Sequence, residues 1–200
     1  MGNTDKFEAM ANVYDNAERI QIAKVSSDAI REYLNDTKNK NAIDFGCGTG
    51  FVGMDLLKEF KSVLFLDTSQ NMINVVNKKI LDSNVLNAET LCFDFESAFQ
   101  TDIYADYIFM VQVLLHIKDV KLVLSKLYDV LTVGGHLLII DFNRNEEVIS
   151  DLVHNGFEQE ELIYTMEKLG YKEIKSKTFY YGNNIFMGKN ASLFIIDSQK

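Results

Sequence analysis

The chain has 200 residues, 47% of them hydrophobic and 24% charged, a balance that suits one soluble globular domain with a full core. Its formal net charge of -9 disfavours a nucleic-acid backbone as partner, because such binding draws much of its affinity from a basic face. Two cysteines make no disulfide framework or metal cluster, and no apolar run approaches the roughly 20 residues that span a bilayer. The opening Met1-Gly2-Asn3-Thr4-Asp5-Lys6 carries no apolar targeting core, so a cytoplasmic location is expected.

Residues 1–16 read as irregular or weakly helical. Ile20, Ala23, Ile30 and Leu34, widened by Ile22, Val25, Ala29 and Tyr33, predict a helix over 17–34. After a polar turn, Ala42-Ile43-Asp44-Phe45 predicts a strand, followed by a glycine loop and a helix through about Phe60. Val63–Leu66 is the second strand, 70–81 a helix, 90–93 a third strand and 107–111 a fourth. Val120, Val123, Leu124, Leu127 and Leu131 repeat at helical spacing. Gly134-Gly135 then turns the chain into a fifth strand over 136–142. A helix over 159–169 ends at Gly170, a C-cap residue. Strands over 173–181 and 192–197 close the chain, with turns expected around Gly182-Asn183-Asn184 and Gly188-Lys189-Asn190. Apolar strands alternating with helices predict a parallel sheet covered on both faces. A basic cluster at Lys172, Lys175 and Lys177 leaves the acidic whole in place.

Asp44-Phe45-Gly46-Cys47-Gly48-Thr49-Gly50 falls between strand and helix, where glycines let a ligand approach bare backbone. A dinucleotide loop needs glycine at its first, third and sixth positions, yet the sixth from Gly46 is Phe51. No Lys-Ser or Lys-Thr pair follows, which excludes a Walker phosphate loop. Asp44 would repel a pyrophosphate but can receive an ammonium. Asp67 ends the second strand 17 positions beyond Gly50, where a carboxylate can accept both ribose hydroxyls. Asp94-Phe95, after the third strand, offers an adenine ring a polar edge and an aromatic face. Cys47 reads as a small packing residue within the loop, and Cys92 as core.

The order Asp44…Gly46-x-Gly48-x-Gly50, Asp67, Asp94, then Asp106 just before the fourth strand, resembles the class I S-adenosylmethionine-dependent methyltransferases of small-molecule type. Leu114-Leu115-His116-Ile117-Lys118-Asp119, Leu131-Thr132-Val133-Gly134-Gly135 and the opening Phe7 to Asp15 carry the same likeness over nearly the whole chain. The resemblance implies a Rossmann-like three-layer α/β/α sandwich with a seven-stranded, mostly parallel sheet and an antiparallel last strand. It implies one domain in three parts: a helical cap over 1–34, a cofactor core over 42–142 and a substrate-side segment over 143–200. It assigns the cofactor, S-adenosylmethionine with product S-adenosylhomocysteine, to Asp44, Gly46, Cys47, Gly48, Gly50, Asp67, Thr68, Met72, Asp94, Phe95 and Val111. No metal is implied; Asp141 and Asn143 are oxygen donors without a third partner.

Direct displacement on an activated methyl needs orientation more than a fixed catalytic set. The catalytic candidates are therefore only His154, His116 and Tyr14, while Tyr180-Tyr181 are candidates for a substrate pocket and His136 has no expected role. The acceptor is expected to be a small molecule, with no membrane or nucleic-acid partner, and the protein a monomer or weak homo-oligomer. Two alternatives stay open at this point: a non-catalytic S-adenosylmethionine-binding protein and a nicotinamide-dependent oxidoreductase.

Overall fold

Strict alternation along the central strands sorts their side chains between two cores. In the computed structural model, which describes residue 8 and residues 15–95 and 102–200, the strands are β1 (Asn41–Phe45), β2 (Ser62–Asp67), β3 (Ala88–Cys92), β4 (Ala105–Val111), β5 (Leu131–Phe142), β6 (Lys172–Phe186) and β7 (Lys189–Gln199). The helices are α1 (Ala17–Arg31), α2 (Phe51–Leu56), α3 (Gln70–Ser83), α4 (Val120–Val130) and α5 (Gln159–Leu169). Ala42, Tyr107, Phe109, Leu138, Ile140 and Leu193 face a core shared with Ile22, Ile30, Leu56 and Val76 of α1–α3. Their neighbours Ile43, Ile108, Met110, Leu137, Ile139 and Phe194 face the other core, with Leu124 of α4 and Met166 of α5. Period two along the strands thus makes a helix–sheet–helix sandwich.

The strand order is β3-β2-β1-β4-β5-β7-β6, with β7 antiparallel to both its neighbours and the other pairs parallel. The order reverses between β1 and β4, and a crevice opens there at the carboxyl ends of the strands. Side chains cap the starts of α1, α3 and α4. Asn16 accepts from Arg19 N at 2.9 Å, Ser69 from Met72 N at 3.2 Å, and Asp119 from Leu122 N at 2.9 Å. The carboxylate of Glu8 adds a bond from Gln70 N at 2.6 Å, so α3 begins under two acceptors.

Several local expectations change. The first helix stops at Arg31, and its buried face is Ile22, Ser26, Ser27, Ala29 and Ile30, leaving Ile20 45% exposed. The helix after the glycine loop is only Phe51–Leu56, tightened into a 3-10 turn over Leu57–Glu59. Gly134-Gly135 does not start β5. The strand already runs from Leu131, because Gly134 N and Gly135 O pair with Lys200. Likewise β6 continues through Gly182-Asn183-Asn184 by a shift of register against β7. The hairpin turn is Met187-Gly188, both with positive φ (51° and 77°), the pair a type I′ turn requires.

Asp106 lies inside β4, accepting from Asn41 N at 2.9 Å. Cys92 is exposed rather than core, because β3 is an edge strand of the sheet. Lys177 on the opposite edge strand is ion-paired with Glu32. Among the described residues no helix is long and apolar enough to cross a membrane. Phe7 and Tyr14 lie outside the described residues.

Candidate functional site

The loop after β1 is pinned from both sides. Gly46 N and Cys47 N donate to the Leu66 carbonyl at 2.7 and 3.0 Å, and Gly48 N donates to Asp67 Oδ2 at 2.8 Å. Gly46, Gly48 and Gly50 all have positive φ (68°, 53° and 81°), which bare backbone adopts at little cost. A Cβ on Gly46 would stand 2.6 Å from Val113 Cγ2, so the loop also fits closely against the chain after β4.

The pocket over this loop is lined by eleven residues read from the sequence: Asp44, Gly46, Cys47, Gly48, Asp67, Thr68, Met72, Asp94, Phe95, Val111 and His116. Gly50 is not among the lining residues; it is the N-cap of α2, and a Cβ there would meet Val76 at 3.0 Å. Asp67 places Oδ2 on Gly48 N and Oδ1 on Ser69 N at 2.9 Å, fixing the carboxylate at the end of β2. Burial raises its pKa despite these donors. Asp44 is buried, and desolvation, with Asp67 nearby, pushes its pKa up to about 7 against the opposing bond from Gly53 N at 2.9 Å. Burial also pushes the Cys47 thiol well up, so the sulfur in the loop is no thiolate nucleophile.

Of the catalytic candidates, His116 alone lies in this pocket among the described residues. His154 faces elsewhere: its Nε2 bonds the Ile117 carbonyl at 2.8 Å and its backbone N the Leu115 carbonyl at 2.8 Å. His136 stacks on Tyr107 at 4.9 Å and bonds Asp197. Tyr180 packs on the α1–α3 core, and Tyr181, 79% exposed, borders a separate polar groove with Asn143 and Asn190. Asp141 is fully buried on backbone donors, and Asn143 is spent on Thr178 and Ser192. Among the described residues no three His, Cys, Asp or Glu side chains gather as a metal site.

Residues that escaped the sequence reading complete the pocket. Arg19, Ile22 and Ala23 come from α1, and Gln112, Val113 and Ile117 from the chain after β4. Arg19 was within reach of pattern reading, since it sits one turn before Ile22 and Ala23 on the inward stripe. Thr49 Oγ1 donates to Asp15 at 2.6 Å, and Lys79 bridges Asp15 at 3.1 Å and the Thr49 carbonyl at 2.9 Å. These bonds hold the start of α1 against the glycine loop.

A family model described as a methyltransferase domain matches residues 43–137, the span from β1 into β5 that supplies most of this pocket's lining. Over this span the chain is similar to methyltransferases. It is 29% identical to an uncharacterized methyltransferase of Schizosaccharomyces pombe, over 92% of this chain and 75% of that protein. The fold is like that of the N-methyltransferase NodS from Bradyrhizobium japonicum, solved with S-adenosyl-L-homocysteine. Its TM-score is 0.77 at 15% identity over 100% of this chain and 99% of that one. It is also like phosphoethanolamine N-methyltransferase 2 of Haemonchus contortus, solved with phosphomonomethylethanolamine and S-adenosylhomocysteine (TM-score 0.74, 16% identity, 97% of this chain). The chain spans 60% of the length of the Haemonchus protein.

Proposed function

We propose that this chain is a class I S-adenosylmethionine-dependent methyltransferase, carrying a methyl group from S-adenosylmethionine to a small-molecule acceptor by direct in-line displacement. The observation that carries the reading is Asp67. Its carboxylate is held at the end of β2, one strand from the switch point of the sheet, by Gly48 N and Ser69 N, with lone pairs left for two vicinal hydroxyls. The donor set fits the group. Asp44 receives the ammonium of the amino-acid end, Arg19 its carboxylate, and the positive-φ Gly46 and Gly48 present bare backbone to the pocket. Phe95 and Met72 bound the adenine and Asp94 takes its polar edge. Cys47, Thr68 and the Val111 backbone complete the enclosure.

The cofactor supplies the activated methyl; the chain's own residues orient and desolvate the reactants. An amine acceptor attacks with its lone pair and needs no base. For an acceptor that must lose a proton, His116 is the pocket imidazole we assign to take it. A small acceptor agrees with the net charge of -9 and with the phosphomonomethylethanolamine held by the Haemonchus enzyme. We place the protein in the cytoplasm, as a monomer or weak homo-oligomer.

The test is calorimetric titration with S-adenosylmethionine and S-adenosylhomocysteine, with NADH as control, on the wild type and Asp67→Ala. Micromolar binding of both adenosyl ligands, lost in the variant, is expected. No binding by cofactor-free protein, or a nicotinamide signal instead, refutes the reading.

A further inference from the structure

The chain between β4 and α4 forms one wall of the pocket, contributing Gln112, Val113, His116 and Ile117. Its backbone does not fall there by itself. Gln112 has φ 56°, a left-handed conformation that costs a side-chain-bearing residue, and its N–H is held by the Ile140 carbonyl at 2.7 Å. Val113 then presses on Gly46, and Leu114–His116 tighten into a single 3-10 turn. The wall is strained and short, so something outside the pocket has to hold it.

What holds it is a carboxylate outside the lining of this pocket. Asp141 is the penultimate residue of β5, fully buried on the α4–α5 side of the sheet. Its Oδ2 accepts from Leu115 N at 3.2 Å, the Leu114 N–H also faces it, and Oδ1 accepts from Phe142 N at 2.8 Å. The partners that offset its burial among the described residues are backbone N–H groups, and desolvation lifts its pKa to about 7. A fold selected for stability alone would place an apolar residue here. From the other side, His154 binds the carbonyls of the same turn, its backbone N on Leu115 and its Nε2 on Ile117. The 3-10 turn is thus gripped by its N–H groups from β5 and by its carbonyls from the segment after β5.

We propose that Asp141, seconded by His154, is a positioning residue that sets the Gln112–Ile117 wall of the cofactor pocket and is retained at the expense of stability. The inference rests on the reading of the pocket as the cofactor site. The distinguishing measurement pairs the melting temperature at pH 8 with the dissociation constant for S-adenosylhomocysteine. Asp141→Asn removes the buried charge but turns an amide N–H toward one of the backbone N–H groups. Its melting temperature should equal or exceed the wild type's while the ligand binds about fivefold more weakly or worse. His154→Phe keeps a ring against Phe157 without the donor and should weaken binding about twofold to fivefold, with His154→Gln restoring it.

A parallel loss of melting temperature and affinity in Asp141→Asn makes the residue merely structural and overturns the proposal. So does wild-type affinity in both Asp141→Asn and His154→Phe, or failure of His154→Gln to restore binding. Failure of the wild type itself to bind S-adenosylhomocysteine overturns instead the functional reading beneath it.

Discussion

Gly53 is the residue whose replacement tests the architecture of the site most sharply. It lies in the first turn of α2, and its N–H is the donor that Asp44 Oδ2 accepts at 2.9 Å. A Cβ there would stand 2.6 Å from that oxygen and 2.4 Å from Phe65 Cε1, below any real Cβ contact. Alanine at a helical glycine ordinarily stabilises by roughly 1 kcal/mol through backbone entropy. Overpacking a closed core costs about 1–3 kcal/mol, and neither Phe65, fully buried, nor Asp44, tied to α2, can step aside. Strain therefore outweighs propensity, and Gly53→Ala should lower stability by about 1–2 kcal/mol. For a chain of this size that is a fall in Tm of roughly 2–8 °C. Because the displaced oxygen belongs to Asp44, affinity for S-adenosylhomocysteine should fall as well. Differential scanning calorimetry with parallel titration decides it. A Tm equal to or above the wild type's would refute the reasoning, because it would mean the helix moves freely off Asp44.

Stability should also fall as pH rises from about 5 to 8. Asp44 and Asp141 bind protons in the fold up to about pH 7 but release them near 3.8 when unfolded, so the folded state gains at the acidic end and loses that gain through pH 7. Tm measured across this range should flatten in the Asp44→Asn/Asp141→Asn double variant. Arg19→Ala should weaken S-adenosylhomocysteine about tenfold while leaving 5′-methylthioadenosine, which lacks the amino-acid end, within about twofold; equal losses on both ligands would remove Arg19 from its assigned role. Lys79→Met should loosen the hold of α1 on the glycine loop by removing the bridge between Asp15 and the Thr49 carbonyl. Faster amide exchange in residues 17–23, with the β5–β7 pairing unchanged, is the expected signature.

The elements most legible in the sequence were those with one dominant force. β1, β2 and β4 read as apolar runs because helices cover both their faces, and α5 ended where Gly170 takes φ 103°. Asp44, Asp67 and the glycine loop were legible because their chemistry is local: a strand end, a tight turn and a helix start. Long-range pairings were not. Gly134-Gly135 and Gly182 read as turns by composition, yet in the sheet their backbone groups find partners on β7 or beside it. His154 looked free to act on a substrate because the Ile117 carbonyl that occupies it is 37 residues away. The left-handed Gln112 has no local signature either, since the pairing with Ile140 imposes it.

The position of β7 has a consequence for how the molecule is made. β7, which follows its sheet neighbours β5 and β6 in the chain, lies between them, and its Leu193–Ile196 are wholly buried. Until it emerges, β6 has no neighbour and β5 keeps one edge unpaired. The two-residue turn at Met187-Gly188 offers a way through, because β6 and β7 can zip together locally and dock on β5 as one hairpin. A ribosome carrying this chain therefore holds a nascent half-sheet whose raw edge at β5 invites association with other chains, and whose protection arrives in a single late step.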